Sequence, residues 1–265
     1  MNADSHFEIG KDHLICEDYA LAGQDDKGAY AIVCDGCSSS PSVDLGARVL
    51  AYSALQCLRN GLMDDYTKFG HRVIRNAGDI FNVLTQLHPQ ALDATLLVAT
   101  VQGGATNIYM YGDGVMYQKY TNGDVRAVHV NFPLGAPAYL SYYLDDNRLK
   151  DYEDNVKTKK VTEVVIKANG ERFITEKILE PFEPVKVEAN FVVEGDLIAL
   201  SSDGINSFRK ADSDLMPWTD LTEEFFNYKN TSGVFVTRRL AAFQRKCLKE
   251  QMTHFDDIAV ASIIV

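Results

Sequence analysis

The chain is short of basic residues, of low-complexity linkers and of long apolar runs. Across 265 residues, 26 Lys and Arg face 37 Asp and Glu, a formal charge of −11. That deficit argues against a nucleic-acid or anionic-membrane binder, since both need a basic face. No apolar run approaches the roughly 18 residues of a membrane span. The opening "MNADSHFEIG" has neither the basic nor the apolar region of a secretion signal. The five cysteines, Cys16, Cys34, Cys37, Cys57 and Cys247, are odd in number and irregularly spaced, which does not suggest a disulfide framework. A reducing, cytoplasmic setting is the expectation.

What is present fits an ordinary packed core, with 46% hydrophobic residues and no internal repeat. Strand-like runs open the chain at Phe7–Ile9, Leu14–Cys16 and Ala29–Cys34. Helical spacing of Val43, Ala47, Leu50, Ala54 and Leu58 predicts a helix over about 43–58. A second helix is predicted over about 67–87, with Val73, Ala77, Ile80, Phe81, Leu84 and Leu87 on one face and His88-Pro89 as its stop. Strands follow at 95–101 and 107–111. Asn122-Gly123 and Asn169-Gly170 mark tight hairpins, the second between 161–167 and 172–178. Strands at 191–193 and 197–200 flank a Glu194-Gly195-Asp196 turn. A helix over about 233–252 and the apolar "IAVASIIV" close the chain. Hairpin-joined strands with helices inserted in pairs predict an α+β fold, a β-sandwich with helices outside. The polar, tyrosine-rich stretch 139–160 reads as a surface insertion beside a site.

Acids recur where apolar runs stop. Glu17-Asp18 follows "HLIC", Asp35-Gly36 follows "AYAIVC", Asp113 follows "NIYMYG", Asp203-Gly204 follows "LIALSS", and Asp256-Asp257 precedes the last strand. A strand buried on both faces ends at the rim of the core, so such acids can converge on one end of a sandwich. Gathered carboxylates repel and call for counter-charge, and an all-oxygen set suits Mg²⁺ or Mn²⁺. Each acid taken singly is also an ordinary turn residue, and spacing alone leaves both readings open.

Other motifs weigh less. "CDGC" is a Cys-x-x-Cys, but it does not open a helix and has no second ligand pair for zinc. Cys34 is expected in the core and Cys37 at its rim. "DDNRLKD" has the outline of a calcium loop but carries Lys150 where glycine is needed, so a solvated acidic loop is expected. The serine runs at 38–42 and 201–202 have no nucleophile elbow around them.

The ordered set "CEDYA", "AIVCDG", "DATLLVA", "YMYGDG", "LIALSSDGI" and "FDDIAVASIIV" resembles the metal-dependent Ser/Thr protein phosphatases, the type-2C or PPM family, in a divergent bacterial or phage-like branch. The match runs from about residue 6 to the last strand. The resemblance implies one domain over 1–265 built as a four-layer α/β/β/α sandwich of two mainly antiparallel sheets, with a flap-like insertion at about 136–190. It implies hydrolysis of phosphoserine and phosphothreonine on proteins by a hydroxide bridging two Mn²⁺ or Mg²⁺ ions, with a third ion in some members. By the same resemblance Asp35 bridges the ions and Gly36 lends its carbonyl. Glu17, Asp18, Asp203 and Asp256 complete the ligands, and Asp113 joins Asp203 at the third position. The implied partners are a phosphorylated protein and a Ser/Thr kinase or its targets, with no nucleic acid and no membrane.

Two positions depart from the family pattern. His13 stands where members carry an arginine that binds phosphate, and it can donate a hydrogen bond but not a bidentate fork. Cys37 stands where many members carry histidine after Asp-Gly, so a histidine general acid is not expected there. These departures keep a second reading open, a non-catalytic phosphoprotein-binding or regulatory module on the same fold.

Overall fold

The computed structural model describes residues 1–61, 63, 65–83, 88–189, 192–210 and 215–265. In chain order the elements are β1 (Asn2–Glu8), β2 (Tyr19–Asp25), β3 (Gly28–Cys34), α1 (Val43–Arg59), α2 (Tyr66–Val83), β4 (Leu96–Gln102), β5 (Ala105–Tyr111), β6 (Gly114–Lys119) and β7 (Val125–Asn131). They continue as α3 (Asp146–Asn155), β8 (Lys159–Ile166), β9 (Arg172–Leu179), β10 (Val185–Ala189), β11 (Leu197–Ser201), β12 (Arg209–Lys210), α4 (Trp218–Phe225), α5 (Phe235–Glu250), β13 (Met252–Thr253) and β14 (Ile258–Ile264).

Two antiparallel sheets form the centre, one in the order β1-β14-β11-β6-β7-β8-β9 and the other β10-β5-β4-β3-β2. The two-residue period of a strand sends alternate side chains to opposite faces. Thus Ala31 and Val33 meet the second sheet, while Ile32 and Cys34 face α1 and α2. Met116, Val128, Ile198, Leu200 and Ala261 fill the space between the sheets. Val115, Tyr117, Ala199 and Val260 turn outward onto α4 and α5 through Phe225, Phe235 and Phe243. The result is the expected α/β/β/α order. Central strands buried on both faces read as unbroken apolar runs, and the polar residues fall at their ends.

Several sequence expectations are corrected. Residues 14–16 form a loop, with Leu14 98% exposed; the apolar trio has no strand to pair with. The pairing partner of β3 is instead β2, whose half-polar "YALAGQD" carries a weak pattern. Asp146–Asn155 is a helix capped by Asp145, which accepts from the N–H groups of Asn147 and Arg148, rather than a solvated loop. The tyrosine-rich stretch is packed, with Tyr139, Leu140, Ser141 and Tyr152 buried. Residues 192–193 are not in a strand, and Phe191 lies outside the described residues, as do Leu84 and Leu87 of the second predicted helix. Within 136–190, β8 and β9 extend one sheet while β10 pairs with β5 of the other. Buried Lys159 donates to the carbonyls of Pro181 (3.0 Å) and Glu183 (2.5 Å), fastening that crossing.

Candidate metal centre

Register brings the acids to one end of the sandwich. Tyr19 pairs with Cys34, so Asp18 and Asp35 flank the same end of the β2–β3 ladder. Leu96 pairs with Tyr111 at that end, and the turn carrying Asp113 crosses there from β5 into β6. In the other sheet Ser201 pairs with both Val115 and Val260. The exit of β11 therefore delivers Asp203, and the entry of β14 delivers Asp256, to the same rim.

Short backbone contacts hold this rim together. Thr95 donates its N–H to the Asp35 carbonyl (2.8 Å), and its Oγ1 accepts from the Asp35 N–H (3.1 Å). A Cβ on Gly36 would come 2.8 Å from the Glu17 carbonyl, and one on Gly204 would come 1.7 Å from the Asp257 carbonyl. Only glycine permits either approach, which explains the Asp-Gly pairs better than turn formation does. Ser207 ties the third side. Its Oγ accepts from the N–H groups of Phe255 and Asp256 and donates to the Gly204 carbonyl (2.8 Å).

The electrostatics are those of a crowded anionic pocket. Burial, and then the charges of Asp257, Asp203 and Asp256, push the Asp18 carboxyl well above its ordinary range, a rise that a Ser202 hydrogen bond partly offsets. Burial and the neighbouring Asp18, Asp203 and Asp113 do the same to Asp35. Asp113 rises through burial and Asp203, and Asp256 through burial and Asp203. Five carboxylates from five chain segments thus sense one another. Without added cations they cannot all ionise cheaply. Buried Asp18 Oδ2 has no hydrogen-bond partner, and Glu17 Oε2 has only the His13 ring at 3.4 Å. Orphaned oxygens in an all-oxygen setting fit hard divalent cations. Asp18, Asp35, Asp203 and Asp256 could hold such ions, with Asp113 beside Asp203.

His13 and Glu17 sit at one edge. The His13 ring points Nε2 at Asp256 Oδ1 (3.1 Å) and Nδ1 at Asp257 Oδ2 (3.2 Å) and Glu17 Oε2 (3.4 Å). Ligand atoms of His13, Glu17 and Asp257 lie within 4.8 Å of one another. That trio is nevertheless a brace. Asp257 Oδ1 accepts from the Gly10 N–H (2.7 Å) and Oδ2 from the Glu17 N–H (2.6 Å), which occupies both oxygens with the loop before β2. Asp257 and Asp93 are the functional residues that sequence reasoning missed. Buried Asp93 accepts from Ser40 (2.9 Å), from Ser141 (2.6 Å) and, at both oxygens, from Arg148 Nη2 (3.0 and 2.8 Å). Its carbonyl takes the Cys37 N–H (2.8 Å), steadying the loop after Gly36. The doubled acid at 256–257 was a signal for Asp257; nothing local pairs Asp93 with Arg148.

All five cysteines are free. Cys34 lies in the layer facing the helices. Burial raises the Cys37 thiol, but hydrogen bonds with Ser39, Tyr139 and Ser40 outweigh it and bring the thiol below its usual value.

Comparison with known proteins agrees with this geometry. The family model described as Protein phosphatase 2C matches residues 9–245. No curated protein matches the chain at the sequence level. Among solved structures, the serine/threonine phosphatase PstP/Ppp of Mycobacterium tuberculosis superimposes with a TM-score of 0.53 at 14% identity, over 98% of this chain and 96% of that one. A PstP catalytic domain in complex with two manganese ions gives 0.54 at 14%, over 99% and 97%. PppA of Pseudomonas aeruginosa gives 0.51 at 16%, over 98% and 95%. Identities this low speak to fold alone, and they bear out the four-layer sandwich. With the family model spanning most of the sequence and the acids gathered at the matching strand ends, the chain belongs to the protein phosphatase 2C family.

Proposed function

We propose that this chain is a metal-dependent phosphatase acting on phosphoserine and phosphothreonine in proteins. The observation that carries the reading is the convergence of Asp18, Asp35, Asp113, Asp203 and Asp256 on one rim, with a buried Asp18 oxygen left unpartnered. Two Mn²⁺ or Mg²⁺ ions bound there would neutralise the phosphoryl oxygens and acidify a water for attack on phosphorus. Asp18, Asp35, Asp203 and the more exposed Asp256 would hold the ions. The Gly36 carbonyl would join them, and Asp113 with Asp203 would hold a third ion.

The remaining residues position the ligands. Asp257 fixes the loop that carries Glu17 by accepting two of its N–H groups. His13 bridges Asp256 to that loop with both ring nitrogens. We therefore assign His13 to holding Asp256, and its proton to the carboxylates rather than to phosphate. Asp93 and Thr95 hold the strand end at Asp35 and the loop after Gly36.

No helix among the described residues is long and apolar enough to cross a membrane. Five free thiols support a reducing, cytoplasmic setting, where the enzyme would oppose a Ser/Thr kinase. Hydrolysis of a phosphothreonine peptide that needs added Mn²⁺ or Mg²⁺ and stops with EDTA supports the assignment. The engagement of both His13 nitrogens favours one other reading, a module that binds phosphoproteins without cleaving them. Tight Mn²⁺ binding with no turnover of any phosphopeptide would establish that reading instead.

A further inference from the structure

Among the described residues, two cations near the Asp256 end of the pocket have no ion-pair partner. Lys11 Nζ lies 5.3 Å from the centre of the Phe255 ring, and the Arg209 guanidinium lies 5.5 Å from the same ring. Both side chains are exposed. In a chain where acids outnumber bases 37 to 26, neither has a carboxylate within ion-pair distance among the described residues, Asp12 beside Lys11 included. Their mounting is firm. Lys11 donates its N–H to the His254 carbonyl (3.3 Å), and Asp12 donates to the Phe255 carbonyl (3.0 Å). Arg209, on β12, pairs with Thr253 on β13. Both cations are thus carried on the segment 253–255 that leads directly into Asp256. An aromatic face orients a cation without neutralising it, so the pair keeps its charge for an external anion.

We infer that Lys11 and Arg209 form an anion clamp for acidic residues flanking the phosphoresidue of a polypeptide substrate. This rests on the phosphatase reading for the position of the phosphate, and it deepens that reading by naming a substrate class. Extended chain advances about 3.3–3.6 Å per residue. Phe255 adjoins Asp256 in the chain, so the clamp is assigned to an acidic residue close in sequence to the phosphoresidue whose phosphate enters the pocket. In a chain with an excess of acids, two well-placed cations have disproportionate influence over which peptides dock.

The test uses the full chain, a phosphothreonine peptide flanked by aspartates, the same peptide flanked by alanines, and p-nitrophenyl phosphate, all with Mn²⁺. The wild type should show a KM for the acid-flanked peptide roughly three- to tenfold below that of the neutral one, a gap that narrows with added salt. The double variant Lys11→Gln/Arg209→Gln should lose the gap with kcat and p-nitrophenyl phosphate turnover unchanged, and Lys11→Arg/Arg209→Lys should retain it. Equal KM values for the two peptides in the wild type, or a gap that survives the double variant, overturns the clamp. If no substrate is turned over, the phosphatase reading fails separately, and fluorescence anisotropy of the labelled peptides decides the clamp. A wild-type preference for the acidic peptide that the double variant loses supports it, and equal binding overturns it.

Discussion

Asp18 and Asp257 are equally buried, each 2% exposed, and they belong to the same rim, yet they are opposites in chemistry. Asp257 has each oxygen on a backbone N–H. Asp18 has an oxygen with no partner and several carboxylates around it. The same contrast divides the whole end of the sandwich into a brace and a pocket. In the brace, Asp257 and Asp93 are saturated with donors and lock loops together. In the pocket, Asp18, Asp35, Asp113, Asp203 and Asp256 repel one another and wait on charge from outside. A buried carboxylate with all its bonds made is a structural element; one without them marks a place for a ligand.

Substitutions can break this contrast in order of effect. Asp35→Asn and Asp203→Asn should each reduce turnover of a phosphothreonine peptide by at least about 100-fold, since the ions' charge stabilisation is lost with them. Circular dichroism should remain that of the wild type, and full activity in both variants would end the assignment. In the brace the loss moves from activity to folding. Asp257→Ala should cost about 3 kcal/mol in urea unfolding, because two buried N–H groups lose their acceptor. A variant as stable as the wild type would show that Asp257 is not a brace.

Asp93→Ala should follow at about 2 kcal/mol, with Ser40, Ser141 and Arg148 left unpaired. The smallest effect runs in the opposite direction. Asp35 ionises in the folded state well above its ordinary value of 3.8. Its contribution to stability is therefore full below that value and is lost as pH rises toward the raised one. Metal-free Asp35→Asn escapes this loss. Its Tm in EDTA should exceed the wild type's by a margin that grows as pH rises above the ordinary carboxylate range and disappears with Mn²⁺. A margin that shrinks with rising pH would show that the pocket carries no repulsion.

The pocket was more legible in the sequence than the brace. Asp35, Asp113 and Asp203 stand beside glycines at the ends of apolar runs, and the rim of a doubly buried sheet is a local feature that such runs reveal. The central strands and α1 were legible for the same reason, and Asn122-Gly123 and Asn169-Gly170 gave their hairpins. The brace depends on pairs far apart in the chain. Asp93 meets Arg148 across 55 positions and Asp257 meets Gly10 across 247, and no short-range pattern encodes either. Polar elements were missed on similar grounds. Helix α3 buries only Tyr152 and has no apolar stripe to detect, and β2 is a half-exposed edge strand. His13 was identified as a site residue, but its orientation toward Asp256 and Asp257 follows from the fold of the loop rather than from its spacing to Glu17.

Calorimetric titration of Mn²⁺ into the metal-free chain addresses the central claim most directly. The gathered carboxylates predict saturable binding of at least two ions per chain, reduced by one or more in Asp35→Asn and in Asp203→Asn but not in Lys11→Gln. Binding that is absent in the wild type, or undiminished in both aspartate variants, would contradict it.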